Sequence, residues 1–463
     1  MDRYIFAAFA VYVLGLLALD RWAQTGERLE YLLAGRRLTL GPFVATLVAT
    51  WYGGVLGVGE FSYRYGLANW LVFGVPYYLA ALLFAFGLAA KARKQAVFSI
   101  PEQLLSAYGS LASRLGAWLV LLMATPAAYI LMLGQLAEVY LGVSRPVGLV
   151  VGAGLAVGSV LWGGFRSVVR ANLLQFVLMY LAFLLLLPKA LQTLGGFSGL
   201  WAALPDTHRS LTGGLPWQAI AVWYVIALQT LVEPTFYQRC YAAASPRVAR
   251  RGVLMAVAFW VLFDFLTTFS GLAARALLPN LKDPGLCYPL LGQKLLPPLL
   301  NAVFAVGLFA TVSSTAHSYL FLAAATIGHD LFPPRAQELE RVRTAVALGL
   351  VGVAAAGLAW RLGSVVAIWH HVGSIVTSSL LLPLVAAHAS FRLRFSPKGA
   401  VLSLFAAASV SSAWILLRTP QGDYPWGLEP VFPAILLSAL IWLVDRSLPK
   451  FLPGLICRGE RRR

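Results

Sequence analysis

Charge is what this sequence has least of. Only 12% of its 463 residues are Asp, Glu, Lys or Arg, with 18 acidic against 36 basic. Soluble domains carry roughly twice that charged fraction, so a water-soluble globular chain is excluded. Cysteine is also scarce. Cys240, Cys287 and Cys457 are widely spaced and offer neither a disulfide framework nor metal-ligand spacing. Among six histidines there is no His-Glu-x-x-His, and no Ser/His/Asp or Cys/His arrangement with workable spacing. That argues against an enzyme, including a membrane-embedded transferase, which needs such a set at one membrane face. No low-complexity tract and no extramembrane domain stand out. The net charge of +18 fits nucleic acid in principle. The basic residues nevertheless sit in short loops between apolar runs, so no nucleic-acid partner is expected.

What is present is hydrocarbon. The chain is 59% hydrophobic, with a mean hydropathy of +0.76. Thirteen candidate spans follow, at roughly 4–22, 40–63, 68–90, 112–140, 146–164, 168–191, 217–238, 252–277, 296–328, 342–361, 364–390, 399–417 and 426–445. The expectation is an all-α polytopic membrane protein, one transporter domain over 1–463. The first span has only Arg3 beside Asp2 before it and no clear small-residue cleavage site, and reads as a retained helix rather than a signal peptide. Placing the N-terminus outside puts most Lys and Arg on inner loops, among them Arg21, Arg36, Lys91, Lys94, Arg239, Arg247, Arg250 and Arg251. A multi-pass protein of the plasma (cell inner) membrane is expected, N-terminus outside and C-terminus cytoplasmic. Its basic tail, 446–463, then lies near anionic membrane lipid.

One span is unlike the others. The stretch 305–332 reads AVGLFATVSSTAHSYLFLAAATIGHDLF, with Thr311, Ser313, Ser314, Thr315 and Ser318 in the middle of an apolar helix. Hydroxyls at i, i+1 and i+4 gather on one helical face. Two readings stand side by side: they bond carbonyls one turn back and pack small at a helix crossing, or they supply oxygen to a hard cation such as sodium.

Two spans carry interruptions. In FVATLVATWYGGVLGVGEF, Gly53, Gly54, Gly57 and Gly59 crowd the centre. They mark either a close packing face of the small-xxx-small type or a break that frees carbonyls. In AVWYVIALQTLVEPTFYQRC, Gln229, Thr230, Glu233 and Pro234 interrupt the helix, and Pro removes a donor and clashes one turn back. Paired interruptions at matching positions of two halves point to an inverted-repeat transporter. Its ten-helix core would span 40–390, with an extra helix at 4–22 before it and two helices at 399–445 after it.

Four segments carry a resemblance. AGRRLTLGPFVATLVATWYGG (34–54), WGGFRSVVRANLLQ (162–175), QRCYAAASPRVARRG (238–252) and ATVSSTAHS (310–318) occur in order on the expected helices. Together they resemble the sodium:solute symporter family, which shares the five-plus-five LeuT-type fold with discontinuous core helices 1 and 6. The resemblance covers nearly the whole chain. It implies sodium-coupled uptake of a small organic solute by alternating access, with Na+ as the coupling ion. Carried over by position, it implies sodium ligands at the carbonyls of Trp51, Gly54 and Thr311 and the hydroxyls of Ser314 and Thr315, with Gly53 and Ser313 in reserve. Five neutral oxygens suit a monovalent ion, whereas Ca²⁺ calls for carboxylates. Some relatives hold a second sodium with an Asp that is Asn172 here, and another family Asp is His317; one sodium per cycle is therefore expected. The solute pocket implied by the fold would draw on Tyr52, Gly53, Tyr77, Gln135, Gln229 and His370. Sugar, amino acid, organic acid and vitamin all remain open, since no Lys or Arg is placed at mid-membrane.

Ionisable groups within or near spans need a reason, because their cost in hydrocarbon is high. Glu60 reads as wet, Glu233 as near Arg239, Glu138 and Asp264 as meeting polar partners in the bundle, and His317 as a neutral core histidine. Of His370 and His371, only one can face a central cavity. Proton coupling on the same fold, through Glu60, Glu138 or His317, is the alternative coupling. A non-transporting sensor would carry a signalling domain after the last helix, and the sequence ends soon after it.

Overall fold

Backbone amides in a bilayer must be satisfied within the chain, which leaves helices as the available element for a sequence this apolar. The computed structural model describes residues 3–25, 27–95, 97–332, 337–362, 365–390, 393–419 and 423–447; of the expected basic tail, 448–463 lie outside the described residues. The principal helices are α1 (Arg3–Ala23), α2 (Leu40–Trp51), α3 (Val55–Tyr65), α4 (Val75–Phe84), α5 (Ser110–Met123), α6 (Ala127–Leu141), α7 (Arg145–Gly158) and α8 (Phe165–Leu194). They continue with α9 (Trp217–Ile226), α10 (Pro234–Ala242), α11 (Pro246–Leu277), α12 (Pro298–Ala325), α13 (Gln337–Leu362), α14 (Val365–Ala387), α15 (Pro397–Leu416) and α16 (Val431–Ser447). Among the described residues the sole strand-like pairing is an isolated bridge between Leu38 and Ala243.

Among the described residues, eleven stretches are long and apolar enough to cross a membrane. Against the thirteen expected from sequence, Arg145–Gly158 and Val431–Ser447 are the shorter remainder. The Gly- and Pro-rich segment between α8 and α9 folds as short helices, Gly196–Ala203 and Asp206–Arg209.

Both expected interruptions are present, and they differ. Between α2 and α3 the chain makes a 3₁₀ turn over Tyr52–Gly54 and resumes as helix. It does not unwind fully, as free carbonyls at this point would have implied; the tighter turn only shifts the bonding by one residue. Between α9 and α10 the break is deeper. A 3₁₀ stretch, Ala227–Leu231, leads to Val232 and to Glu233 in extended backbone, and Pro234 opens α10. Pro at the first helical position needs no amide partner, and the Glu233 side chain caps the new helix by accepting from Thr235 N.

Helix α12 runs through the middle, with every residue from Phe304 to Ala324 buried. It packs on α8 and on α1. The α1 contact explains one of the five hydroxyls: Tyr12 Oη and Ser313 Oγ lie 2.6 Å apart, Gln175 Nε2 donates to both, and Phe9 meets Phe309 edge-on at 4.3 Å. Asp20, fully buried near the end of α1, accepts from the amides of Trp162 (3.2 Å) and Gly163 (2.9 Å) near the end of the α7–α8 connection. The extra N-terminal helix is thereby fixed to the core by a charge-assisted clamp. Asp20→Ala leaves two amides without that acceptor and is expected to cost about 2 kcal/mol or more. A thermal-unfolding midpoint in detergent equal to wild type would show that the clamp contributes nothing.

Candidate functional site

The hydroxyl face of α12 meets α2 at the point where α2 stops being an α-helix. Ser314 Oγ donates to the carbonyl of Ala49 at 2.7 Å and lies 2.7 Å from the carbonyl of Thr311; Thr315 Oγ1 donates to the carbonyl of Thr50 at 2.5 Å. Each hydroxyl thus directs its proton at a helix carbonyl and keeps lone pairs for another partner. The approach is close because residue 53 is glycine. A Cβ there would stand 2.1 Å from Thr315 Oγ1. The sequence-derived set of Thr311, Ser314 and Thr315 is therefore gathered on one buried patch, with Trp51 and Gly54 in and beside the adjoining turn. Ala49 and Thr50, the carbonyls that the hydroxyls bond directly, were not among the sequence candidates. The local signal for them was only their position one turn before the glycines. All the oxygens named here are neutral, a donor set that fits a monovalent cation.

Beside this patch lies a cavity of about 140 Å³. Trp51, Tyr52 and Gly54 reach it from the first interrupted helix, Tyr77 and Tyr78 from α4, and Gln229 and Glu233 from the second break. Gln229 Nε2 lies 3.4 Å from Tyr77 Oη. Tyr52, Tyr77 and Gln229 are thus brought to one cavity, as the sequence suggested. Gly53 faces Thr315 instead of the cavity. Gln135 on α6 is half-buried away from it. His370 is also elsewhere: its Nε2 stands 2.9 Å from Glu429, and its ring stacks on Tyr424. Its close neighbours on α14, Trp369, Val372 and Gly373, line the wall instead. Sequence position alone did not resolve that rotation.

The other intramembrane groups sort by burial. Glu60 pairs with Arg64 at 3.0 Å and Glu138 with Arg145 at 3.2 Å, both partly exposed, so Glu138 meets its basic partner at the end of its helix and not inside the bundle. Asp264 accepts from Tyr78 Oη in the cavity wall. His317 is fully buried, with Gln175 Nε2 at 3.5 Å from Nδ1.

Arg239 reverses its expected place. Sequence position put it on an inner loop beside Glu233, yet it is fully buried on α10. Its Nη2 donates to Thr50 Oγ1 (2.7 Å), Ser318 Oγ (2.9 Å) and Thr46 Oγ1 (3.3 Å), Nη1 donates to Gln238 Oε1 (3.0 Å), and Phe165 lies under the guanidinium at 5.2 Å. Asn172 Nδ2 donates into the same hydroxyls, Thr46 Oγ1 at 2.8 Å and Thr50 Oγ1 at 3.0 Å. Among the described residues no ion pair joins Arg239 to Glu233. The positive-inside pattern loses one member and the protein gains a buried cation.

A sequence profile described as "SSF: Sodium:solute symporter family" matches residues 31–442. The "Sodium/pantothenate symporter" of Escherichia coli (strain K12) is 25% identical, over 97% of this chain and 96% of the relative. The "Sodium/proline symporter" of Staphylococcus aureus is 23% identical, over 97% and 93%. Among solved structures, a Na+-coupled sialic acid symporter in a substrate-bound outward-open state superposes with a TM-score of 0.79 at 14% identity, covering 95% of this chain and 97% of that one. Mhp1, a nucleobase-cation-symport-1 family transporter, superposes at 0.57 with 13% identity, covering 90% and 96%. At these identities the two structures speak for the fold alone, which is the LeuT-type inverted repeat.

The tight seat of the break on α12 has a direct test. Gly53→Ala places a methyl against Thr315 and is expected to destabilise by about 1–3 kcal/mol. Gly41→Ala, with no atom of the described residues within 4 Å of the added one, serves as the control. Equal unfolding midpoints for the two variants would refute the close approach.

Proposed function

The chain belongs to the sodium:solute symporter family, and on that premise we propose how its residues divide the work. It is a transporter and not an enzyme, and it couples solute uptake to sodium. The sodium ligands are the carbonyls of Trp51, Gly54 and Thr311 and the hydroxyls of Ser314 and Thr315. The observation that carries this reading is the contact of Ser314 and Thr315 with the end of α2 beside Gly53. A cation received there draws together the turn of the first interrupted helix and the hydroxyl face of α12. That arrangement favours the outward-open state, and it shapes the wall that Trp51, Tyr52 and Gly54 give to the cavity. The membrane potential then adds about 2.3 kcal/mol per charge per 100 mV to inward movement.

The solute occupies the cavity bordered by Tyr52, Tyr77 and Gln229. The two relatives are named for pantothenate and proline, which supports a small organic solute. The N-terminus is outside and the C-terminus cytoplasmic, as the Lys and Arg distribution supports. One sodium moves per cycle. At the second cluster of hydroxyls, Thr50 and Ser318 face the guanidinium of Arg239, and Asn172 offers an amide NH₂ rather than a carboxylate. A region already supplied with cationic donors is a poor host for another cation. Proton coupling through Glu60 or Glu138 gains no support from groups held in partly exposed pairs.

Ser314→Ala and Thr315→Val each remove an oxygen from the proposed shell. Each is expected to raise the sodium concentration for half-maximal thermal stabilisation roughly tenfold or more, the equivalent of one lost bond to a charged group. Unchanged sodium affinity in both variants refutes the site. Paired flux measurements in proteoliposomes are expected to give one sodium per solute, and a ratio of two would overturn that stoichiometry.

A further inference from the structure

The central cavity has two carboxylates in its wall and, among the described residues, no Lys, Arg or His. Glu233 stands at the break before α10 and Asp264 on α11, each 2% exposed. Their hydrogen-bond donors are neutral: Thr235 N and Oγ1 reach Glu233 Oε1 at 3.3 and 3.0 Å, and Tyr78 Oη donates to Asp264 Oδ2. The Arg239 guanidinium is engaged with Thr46, Thr50 and Ser318 and, among the described residues, forms no direct ion pair with either carboxylate. Buried carboxylates without a counter-charge are costly, and a matching charge on the occupant removes that cost.

The remaining wall is aromatic. Trp51 and Trp260 lie with ring centroids 5.8 Å apart, Tyr129 meets Trp369 at 6.3 Å, and Trp223 completes the far side. Aromatic faces carry negative potential and attract cations within about 6 Å of the ring centre. An anionic solute would meet carboxylates and ring faces that both repel it. Trp260 lines the cavity, is 2% exposed, and its Nε1–H has no hydrogen-bond partner among the described residues. Such a donor calls for an acceptor oxygen on whatever fills the space.

Resting on the sodium-coupled symport reading above, we infer that the transported solute is a small organic cation, an ammonium or guanidinium compound carrying an oxygen acceptor. Its positive group sits between Glu233 and Asp264 against the tryptophan faces, and its oxygen accepts from Trp260. The solute is thereby separated from sodium, which meets only neutral oxygens at Ser314 and Thr315.

The test is a thermal-shift titration of the purified full-length protein in sodium chloride, with potassium chloride as reference. The cationic probes are choline, ethanolamine and arginine methyl ester. The comparison probes are 3,3-dimethylbutan-1-ol, which is the uncharged isostere of choline, together with proline, pantothenate and glucose. At least one cation is expected to stabilise the sodium-loaded protein, half-maximally at a concentration roughly tenfold or more below that of any comparison probe. Glu233→Gln and Asp264→Asn are expected to erase most of that preference while keeping the shift caused by sodium alone, which reports that they are folded. If a variant does not fold, the choline-against-isostere comparison on wild type decides. The inference is overturned if no cation binds, if the isostere matches choline, if proline, pantothenate or glucose binds more tightly than every cation, or if both folded variants behave as wild type. A wild-type protein that sodium shifts but no cation does loses only the solute class. A wild-type protein that sodium does not shift loses the symport reading together with it.

Discussion

The contact between the hydroxyl face of α12 and the end of α2 is the constraint on which the rest depends. Ser314 and Thr315 reach carbonyls 265 residues away in the chain, and they do so because residue 53 has no side chain to hold the helices apart. In hydrocarbon a hydroxyl without a partner is costly, so the two helices are held in register by chemistry as well as by packing. The same contact fixes where the first interrupted helix turns, and that turn forms one wall of the central cavity. The hydroxyl patch and the cavity are therefore two sides of one short piece of backbone. This is the arrangement that coupled binding requires: an ion that changes the pose of the turn changes the shape of the cavity.

Around this contact the interior separates charge by sign. The buried guanidinium of Arg239 is surrounded by Thr46, Thr50, Ser318 and Gln238. The carboxylates of Glu233 and Asp264 lie in the cavity wall among tyrosines and tryptophans. Keeping these groups apart leaves each with unsatisfied field, and it leaves the cavity with a definite preference for the charge of its occupant. A direct Glu233–Arg239 pair would have cancelled both. The guanidinium is instead turned to the acceptor hydroxyls that α2 and α12 give it, Thr46, Thr50 and Ser318.

How far the sequence could be read follows the range of the forces involved. The interruptions at Gly53-Gly54 and at Pro234 were legible because glycine and proline act on their own backbone. The hydroxyl patch was legible because helical periodicity alone brings Thr311, Ser314 and Thr315 to one face. Ser313, one residue away, shares the composition but turns to Tyr12 and Gln175 of other helices, and nothing local marks that difference. His370 failed as a cavity residue for a similar reason: a rotation of one position about α14 sends it to Glu429 and brings Trp369 inward. Arg239 was misplaced because an arginine near the end of a span reads as interfacial. Only its partners on α2 and α12 allow it to be buried. Asp20 was overlooked as a structural group because its two amide donors come from the distant α7–α8 connection.

By itself the sequence determined that this is a membrane-spanning helical protein, where its helices are interrupted, and which helix gathers hydroxyls on one face. Each of these follows from hydrophobic length, from backbone restriction, or from spacing along a single helix, all of which act within a few turns. The tertiary structure alone decided which carbonyls meet those oxygens, that a guanidinium is enclosed beside them, and that two acids and a set of tryptophans share one cavity. Those outcomes are juxtapositions of segments remote in sequence. They are set by how helices pack and rotate against one another, and no local pattern encodes that packing.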